Sequence, residues 1–360
     1  MKQSEQRKEL EQLLNNQPND LHLLRAFAKT QDGFLNDSFR QRIYPLLLNI
    51  KNNTDISTPL LPETLHQIQV DVERAHFFNM YSNASVLDIQ RQKLTRIIHH
   101  VLEKNPQLFY YQGFHELCAT LLMILGEEKA KQAAYALSLF WLRDSMQKTI
   151  QPTLAQIRLL MRILYLKDSK LHHFLSHVEG LEPFYCLSWV LTWCSHDISN
   201  YSSVARLFDV FITTNPLMPI YLVAACLHLQ RDLILNQDPT DFPVIHSKLT
   251  VFPSNDELPL ESIIERAYEL LQEFPPKKLQ KRGFYLSKFS SVNTFTYDCL
   301  KSKILDAKLG QKRCAKLAAD VEKRRMVVFG DRAKIFLYSG FVALFIAWIW
   351  GNLNGKVFPT

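Results

Sequence analysis

The sequence predicts an all-α fold, and three observations carry that prediction. Glycine is scarce, ten in 360 residues, and no Asn-Gly or Asp-Gly pair sits between alternating apolar runs as a hairpin turn requires. Apolar residues recur instead at helical spacing. Phe39, Ile43, Leu46 and Leu47 fall at i, i+4, i+7 and i+8, and Leu94, Ile97, Ile98, Val101 and Leu102 form a second stripe. Prolines at 18, 106, 183, 216, 219, 253, 259, 275 and 276 stand between the periodic segments, where a residue without a backbone N–H ends one helix or starts the next.

Taken in order, residues 4–15 and 20–29 read as two short helices separated by Gln17-Pro18-Asn19-Asp20, with Asp20 as a cap. A third opens after Gly33-Phe34-Leu35-Asn36-Asp37, and residues 51–63, polar with two prolines, read as a loop. The segment Glu63 to His76 follows. Ser85, as a cap, begins the clearest helix of the chain, 85–104, and its His99 and His100 read as half-buried helix residues with no metal role. Leu117 to Leu125 is almost continuously apolar and stops at Gly126, so it should be buried on most sides. Further helices are expected at 128–147, 152–166, 169–178, through FYCLSWVLTWCSH with Trp189 and Trp193 as core residues, from Val204, over 220–235 and at 260–273. Arg206 and Asp209 should tie their helix to a neighbour. No segment of strand period is long enough to support a sheet.

Charge divides the chain unevenly. Lys277 to Lys334 holds 16 Lys and Arg against 5 Asp and Glu, and Lys356 adds one more, so of the formal +7 the first 276 residues carry −5. A basic tail on a mildly acidic body does not fit a nucleic-acid-binding domain, and no nucleic-acid partner is expected. The six cysteines, at 118, 186, 194, 226, 299 and 314, lack C-x-x-C spacing and sit mostly in apolar helical patterns. They read as reduced core residues. MKQSEQRKELEQLLNN has no apolar stretch of signal-peptide type. Ile335 to Leu353 is different: 19 residues with no formal charge, which as a helix at about 1.5 Å per residue would match a bilayer's hydrocarbon thickness. Five basic residues (Lys323, Arg324, Arg325, Arg332, Lys334) precede it and Lys356 alone follows, so the N-terminal part should face the cytosol. Such a segment reads as a single transmembrane tail anchor with a short lumenal tail at 354–360.

Two stretches carry the chemistry. Asp71 and Arg74 are three apart at the expected end of a helix, where the carboxylate can hold the guanidinium in a fixed, outward pose suited to phosphate. In NPQLFYYQGFHE, Gln112 lies between three aromatic residues and Gly113. Phe109, Tyr110, Tyr111 and Phe114 can pack the turn in place while Gly113 allows a positive φ or close approach. There is no G-x-x-x-x-G-K-[ST] loop, G-x-G-x-x-G, G-x-S-x-G elbow or H-E-x-x-H, and therefore no sign of an independent nucleotide-hydrolysing site.

Ile68-x-x-Asp71-x-x-Arg74 and Tyr110-x-Gln112-Gly113 resemble the two signature motifs of the TBC domain, the helical fold of Rab GTPase-activating proteins. The Phe184 to Trp193 segment and the Arg206 to Asp209 segment follow in that family's order, and the likeness covers roughly residues 30–275. YYQGFHE, SWVLTWC, RLFDVF and NPLMPIYL, with the C-terminal apolar run, are most similar to the family's endoplasmic-reticulum tail-anchored branch. The resemblance implies N-terminal helices at 1–30, a TBC domain at 31–276, a basic connector at 277–334 and the anchor at 335–353. It implies Arg74 as an arginine finger and Gln112 as a glutamine finger, acting in trans on a GTP-bound Rab. Asp71 would orient Arg74, and Tyr110 and Gly113 would shape the loop under Gln112. No cofactor of its own is implied, because Mg²⁺ and GTP belong to the Rab. The implied role is GTPase activation in traffic between endoplasmic reticulum and Golgi; the alternative is a catalytically silent, membrane-tethered Rab-binding scaffold. His115 and Ala75 depart from the family's more frequent asparagine and threonine at these positions, and neither removes a finger.

Overall fold

Ten helices run from the N-terminus to the middle of the computed structural model, which describes residues 2–17, 20–51, 57–253, 258–281, 283–302 and 304–328. They are Lys2–Asn16, Leu21–Phe27, Asp37–Leu47, Pro62–Glu73, Ala84–Glu103, Phe114–Leu125, Glu127–Phe140, Gln151–Lys167, Ser169–His177 and Leu187–Thr192. Tyr201–Thr213, Met218–Leu229, Phe242–Thr250 and Leu260–Glu273 lead the second half, and Ala307–Val328 is the last described helix. The chain divides into two units, Met1–Leu317 and Ala318–Thr360. Of the second, the described part is the end of the Ala307–Val328 helix. Residues 335–353, the expected anchor, lie outside the described residues, among which no helix is long and apolar enough to cross a membrane.

Two apolar helices centre the first unit. Phe114–Leu125 buries every residue but Met123, as its continuous apolar run predicts, and packs against Asp37–Leu47, Ala84–Glu103 and Glu127–Phe140. Met218–Leu229, equally apolar, packs against Gln151–Lys167 and Leu260–Glu273. The Tyr201–Thr213 helix contacts both. Asp209 on it is fully buried, and its carboxylate accepts from Arg40 Nε and Nη2 (both 2.9 Å), Tyr44 Oη (2.7 Å) and the Phe34 N–H (3.2 Å). Arg206, one turn earlier, donates to the Ala28 and Thr30 carbonyls and to Glu261. Gly33 sits at φ +51, and a Cβ there would come within 2.7 Å of Arg206 and 2.8 Å of Asp209, so a side chain at this position would have to push the bonded Arg206 and Asp209 ends aside. Asp209→Ala would leave the buried Arg40 with the partly exposed Asp37 as its remaining carboxylate and take the acceptor from the Tyr44 hydroxyl and the Phe34 N–H. It is expected to cost about 3–5 kcal/mol in denaturant unfolding, and a loss below about 1 kcal/mol would contradict this account of the crossing.

Several expectations need correction. The helix expected from Ser85 starts at Ala84, because Asn83, not Ser85, is the cap: its Oδ1 accepts from the Ser85 and Val86 N–H groups. The helix expected to reach residue 147 stops at Phe140. There the chain turns so that Trp141 donates to the Phe211 carbonyl (3.0 Å) and the fully buried Arg143 reaches the Leu139 and Phe289 carbonyls. The FYCLSWVLTWC segment is a 3₁₀ turn, Pro183–Cys186, and a short helix ending at Trp193, which takes a left-handed φ of 52°. Trp189 and Trp193 are nonetheless core residues. Trp193 meets Phe208 and Phe211 with ring centroids 5.3 Å away in each case.

The two ends of the expected TBC domain also differ. Leu10, Leu14, Leu24 and Phe27 belong to the common core, so 1–30 is not a separate unit. Residues 277–317, expected as the larger part of a connector, bury Leu279, Val292, Phe295, Cys299, Leu305, Cys314 and Leu317. Leu305–Asp306 even pairs in parallel with Ile50–Lys51, in the register Ile50 to Leu305. All six cysteines are buried and unbridged, as expected.

Candidate functional site

The Pro62–Glu73 helix begins on Pro62 and ends at Arg74, whose φ of −110° and ψ of 15° leave the helical region. Asp71 lies in its last turn, on the side turned to the core, and is 2% exposed. Arg74 Nη2 donates to Asp71 Oδ1, while the Arg74 side chain stays 36% exposed. The brace read from the i, i+3 spacing is therefore present: a buried carboxylate holding a half-exposed guanidinium at a helix end.

The second segment is fixed from several sides. Asn105 caps the preceding turn with its side-chain amide on the Val101 carbonyl, and the Phe109 N–H donates to the Met146 carbonyl at 2.8 Å. Tyr110 Oη donates to Asp71 Oδ2 at 2.8 Å, and Tyr111 Oη donates to the Leu191 carbonyl at 2.9 Å. Burial, and then the Asp71 charge, push the Tyr110 hydroxyl well above its ordinary range, so it remains a donor. Gly113 takes φ +110 and starts the Phe114–Leu125 helix; a Cβ there would lie 3.0 Å from Thr192 Cγ2. Gln112 between these anchors is exposed. What is held is the loop, and the amide itself meets no described partner. Phe109, expected inside the turn, is 42% exposed, whereas Phe114 is buried.

Asp71 thus joins the two segments: one oxygen takes Arg74, the other takes Tyr110, two residues before Gln112. Arg74, Asp71 and Tyr110 are bonded together, and Gln112 and Gly113 follow Tyr110 in the loop so held. Sequence reasoning missed two members of the surrounding network. Glu116, 1% exposed, accepts from the His76 N–H with both oxygens (3.1 Å each) and lies 3.3 Å from His115 Nε2 and 3.6 Å from His196 Nδ1. His115 Nδ1 in turn is 3.4 Å from Tyr110 Oη. Burial by itself raises the Glu116 carboxyl, but hydrogen bonds from His115 and His196 outweigh it and leave the group at about 2. The same bond to Glu116 raises His196. A carboxylate inside FHELCATLLMIL was a readable signal for Glu116; nothing local marked His196, far downstream in the chain.

The profile of the Rab-GTPase-TBC domain family, RabGAP-TBC, matches residues 37–235. The chain belongs to this family. Among RabGAP-TBC relatives, TBC1 domain family member 20 of Bos taurus is 33% identical over 293 residues, covering 76% of this chain and 69% of its own length. The Homo sapiens protein of the same name is 32% identical over 293 residues with the same coverage. GTPase-activating protein gyp10 of Schizosaccharomyces pombe is 28% identical over 299 residues, 79% of either chain. In three dimensions the chain resembles the crystal structure of the Ypt/Rab-GAP domain of Gyp1p, with a TM-score of 0.54 at 17% identity over 71% of this chain and 94% of that one. That likeness shows the helical RabGAP-TBC fold.

Proposed function

We propose that this protein is a GTPase-activating protein for a Rab-family small GTPase in its GTP-bound form, with Arg74 and Gln112 entering the Rab's nucleotide site together. The observation that carries the reading is the divided use of Asp71. One buried carboxylate anchors both the arginine segment and, through Tyr110, the glutamine loop, and both fingers stay accessible to a second protein. Negative charge spreads over the transferring phosphoryl and leaving oxygens in the transition state, and the Rab's Mg²⁺ neutralises only part of it. Arg74 adds a permanent, planar cation there. Gln112 has both a donor and an acceptor on one amide and can therefore aim the attacking water.

The relatives named for GTPase activation support the same assignment. The charge-free run 335–353 with basic residues before it supports a tail anchor with the catalytic body on the cytosolic side, and likeness to the anchored branch favours the endoplasmic reticulum and traffic toward the Golgi. Single-turnover GTP hydrolysis by a panel of GTP-loaded Rabs, with and without the full chain, tests the reading. Acceleration of at least one Rab by two orders of magnitude or more is expected on the order-of-magnitude scale of trans-acting arginine fingers. Binding of a Rab with no change in its turnover would point instead to a silent scaffold.

A further inference from the structure

We propose that Glu116 is a positioning residue for the activation reaction: its buried carboxylate sets the spacing between the segment that presents Arg74 and the loop that presents Gln112. The assignment rests on the Rab-GAP reading. Its ground is geometric. His76, whose N–H both Glu116 oxygens accept, is two residues past Arg74, at the start of the 3₁₀ turn His76–Met80. Glu116 itself is four residues past Gln112, in the first turn of the Phe114–Leu125 helix. A single side chain therefore bonds the backbone of one finger's segment while standing on the element that begins at the other.

Asp71 does a different job. It grips the guanidinium and the Tyr110 hydroxyl, so it fixes side chains. Glu116 fixes main chain, and His115 links the two carboxylates, with Nε2 3.3 Å from Glu116 and Nδ1 3.7 Å from Asp71. His196, 46% exposed on its side chain, closes the cluster from the turn after Trp193. A buried carboxylate is costly unless fully hydrogen-bonded, and an apolar residue of similar volume would commonly serve stability as well. Its presence inside a largely apolar helix fits placement better than packing. Misplacing one of two fingers by a fraction of an ångström to an ångström is enough to lose on the order of ten- to a hundredfold in rate.

The test is a split of kcat from KM for the responsive Rab, using the full chain purified in detergent. Glu116→Gln keeps an acceptor for the His76 N–H but loses the charge that draws His115 and His196; Glu116→Ala loses both. The expected order of kcat is wild type, then Gln, then Ala, the last down by about ten- to a hundredfold, with KM within about twofold of wild type. Thr120→Val is the structural control. It removes another buried hydrogen bond one turn along the same helix, from Thr120 Oγ1 to the Glu116 carbonyl, and should leave kcat unchanged. If Glu116→Ala does not fold, Glu116→Gln and His196→Ala decide. His196→Ala, truncating a half-exposed ring, should lower kcat several-fold at constant KM. Unchanged kcat in Glu116→Gln and His196→Ala, a rise in KM without loss of kcat, or an equal loss in Thr120→Val each overturns the assignment. A wild-type chain that accelerates no Rab removes the Rab-GAP reading as well, so the two failures are distinguishable.

Discussion

Arg74→Ala is expected to return GTP hydrolysis by the responsive Rab to its intrinsic rate, a loss on the order of 10³ to 10⁵, or about 4 to 7 kcal/mol of barrier. The size follows from where the cation acts. Inside a closed, water-poor nucleotide site a fixed positive charge meets the developing phosphoryl charge with little screening and no reorganisation. Arg74→Lys should be almost as inactive, because lysine brings a point charge without the planar fork that spans two phosphate oxygens. Gln112→Ala should fall nearly as far. Affinity for the Rab should change much less than turnover in all three, since groups in the proposed roles act mainly in the transition state. Melting curves belong beside the rates: Arg74→Ala leaves the buried Asp71 carboxylate with Tyr110 Oη and the His115 ring, and some loss of stability is expected. Full acceleration by Arg74→Ala would remove the arginine-finger assignment.

Much of this site was legible because its signals are local. Asp71 and Arg74 are one helical turn apart, Gly113 sits where the backbone takes φ +110, and the aromatic run that pins the Gln112 loop is contiguous in sequence. The missing pieces are long-range. Glu116 and His76 are 40 residues apart, and His196 enters from a left-handed turn at Trp193 and Cys194 that helical periodicity does not foresee. Asn83 and Ser85 are both good caps two residues apart, and only the hydrogen bonds separate them. The helices were read well where one apolar stripe decided them, as at Leu260–Glu273, and less well at Phe140, where a tertiary demand for Arg143 ended a pattern that could have continued. In residues 277–317 the density of lysine and arginine hid apolar positions that are buried in the common core.

Removing everything after residue 276 is therefore expected to unfold the protein, although the family match ends at 235. The segment 277–317 buries Leu279, Val292, Phe295, Leu305 and Leu317 at 3% exposure or less. At about 1.5–3 kcal/mol for each buried apolar side chain, these five alone rival the roughly 5–15 kcal/mol by which a whole domain is stable, before the ordering cost of the segment is subtracted. Buried polar bonds add to the packing. Arg143, completely buried, has Asp298 Oδ2 at 3.5 Å, Thr294 Oγ1 as an acceptor and the Phe289 carbonyl at 3.1 Å, all supplied by this segment. Asp144 likewise receives the Ser291 N–H at 2.8 Å. Without them a guanidinium would lie in the core with the Leu139 carbonyl as its described partner, a loss of about 3–5 kcal/mol from this charge alone. Trp141 would also lose the Phe295 ring, 5.4 Å away. A fragment ending at 328 should melt cooperatively by circular dichroism, while one ending at 276 should give no cooperative transition and no stimulation of a Rab. Arg143→Met in the shorter fragment separates the two causes. Recovery of a cooperative melt would assign the failure to the stranded charge, and continued failure to the lost apolar contacts; a fully folded, active 1–276 fragment would show that residues 277–317 rest on the body without supporting it.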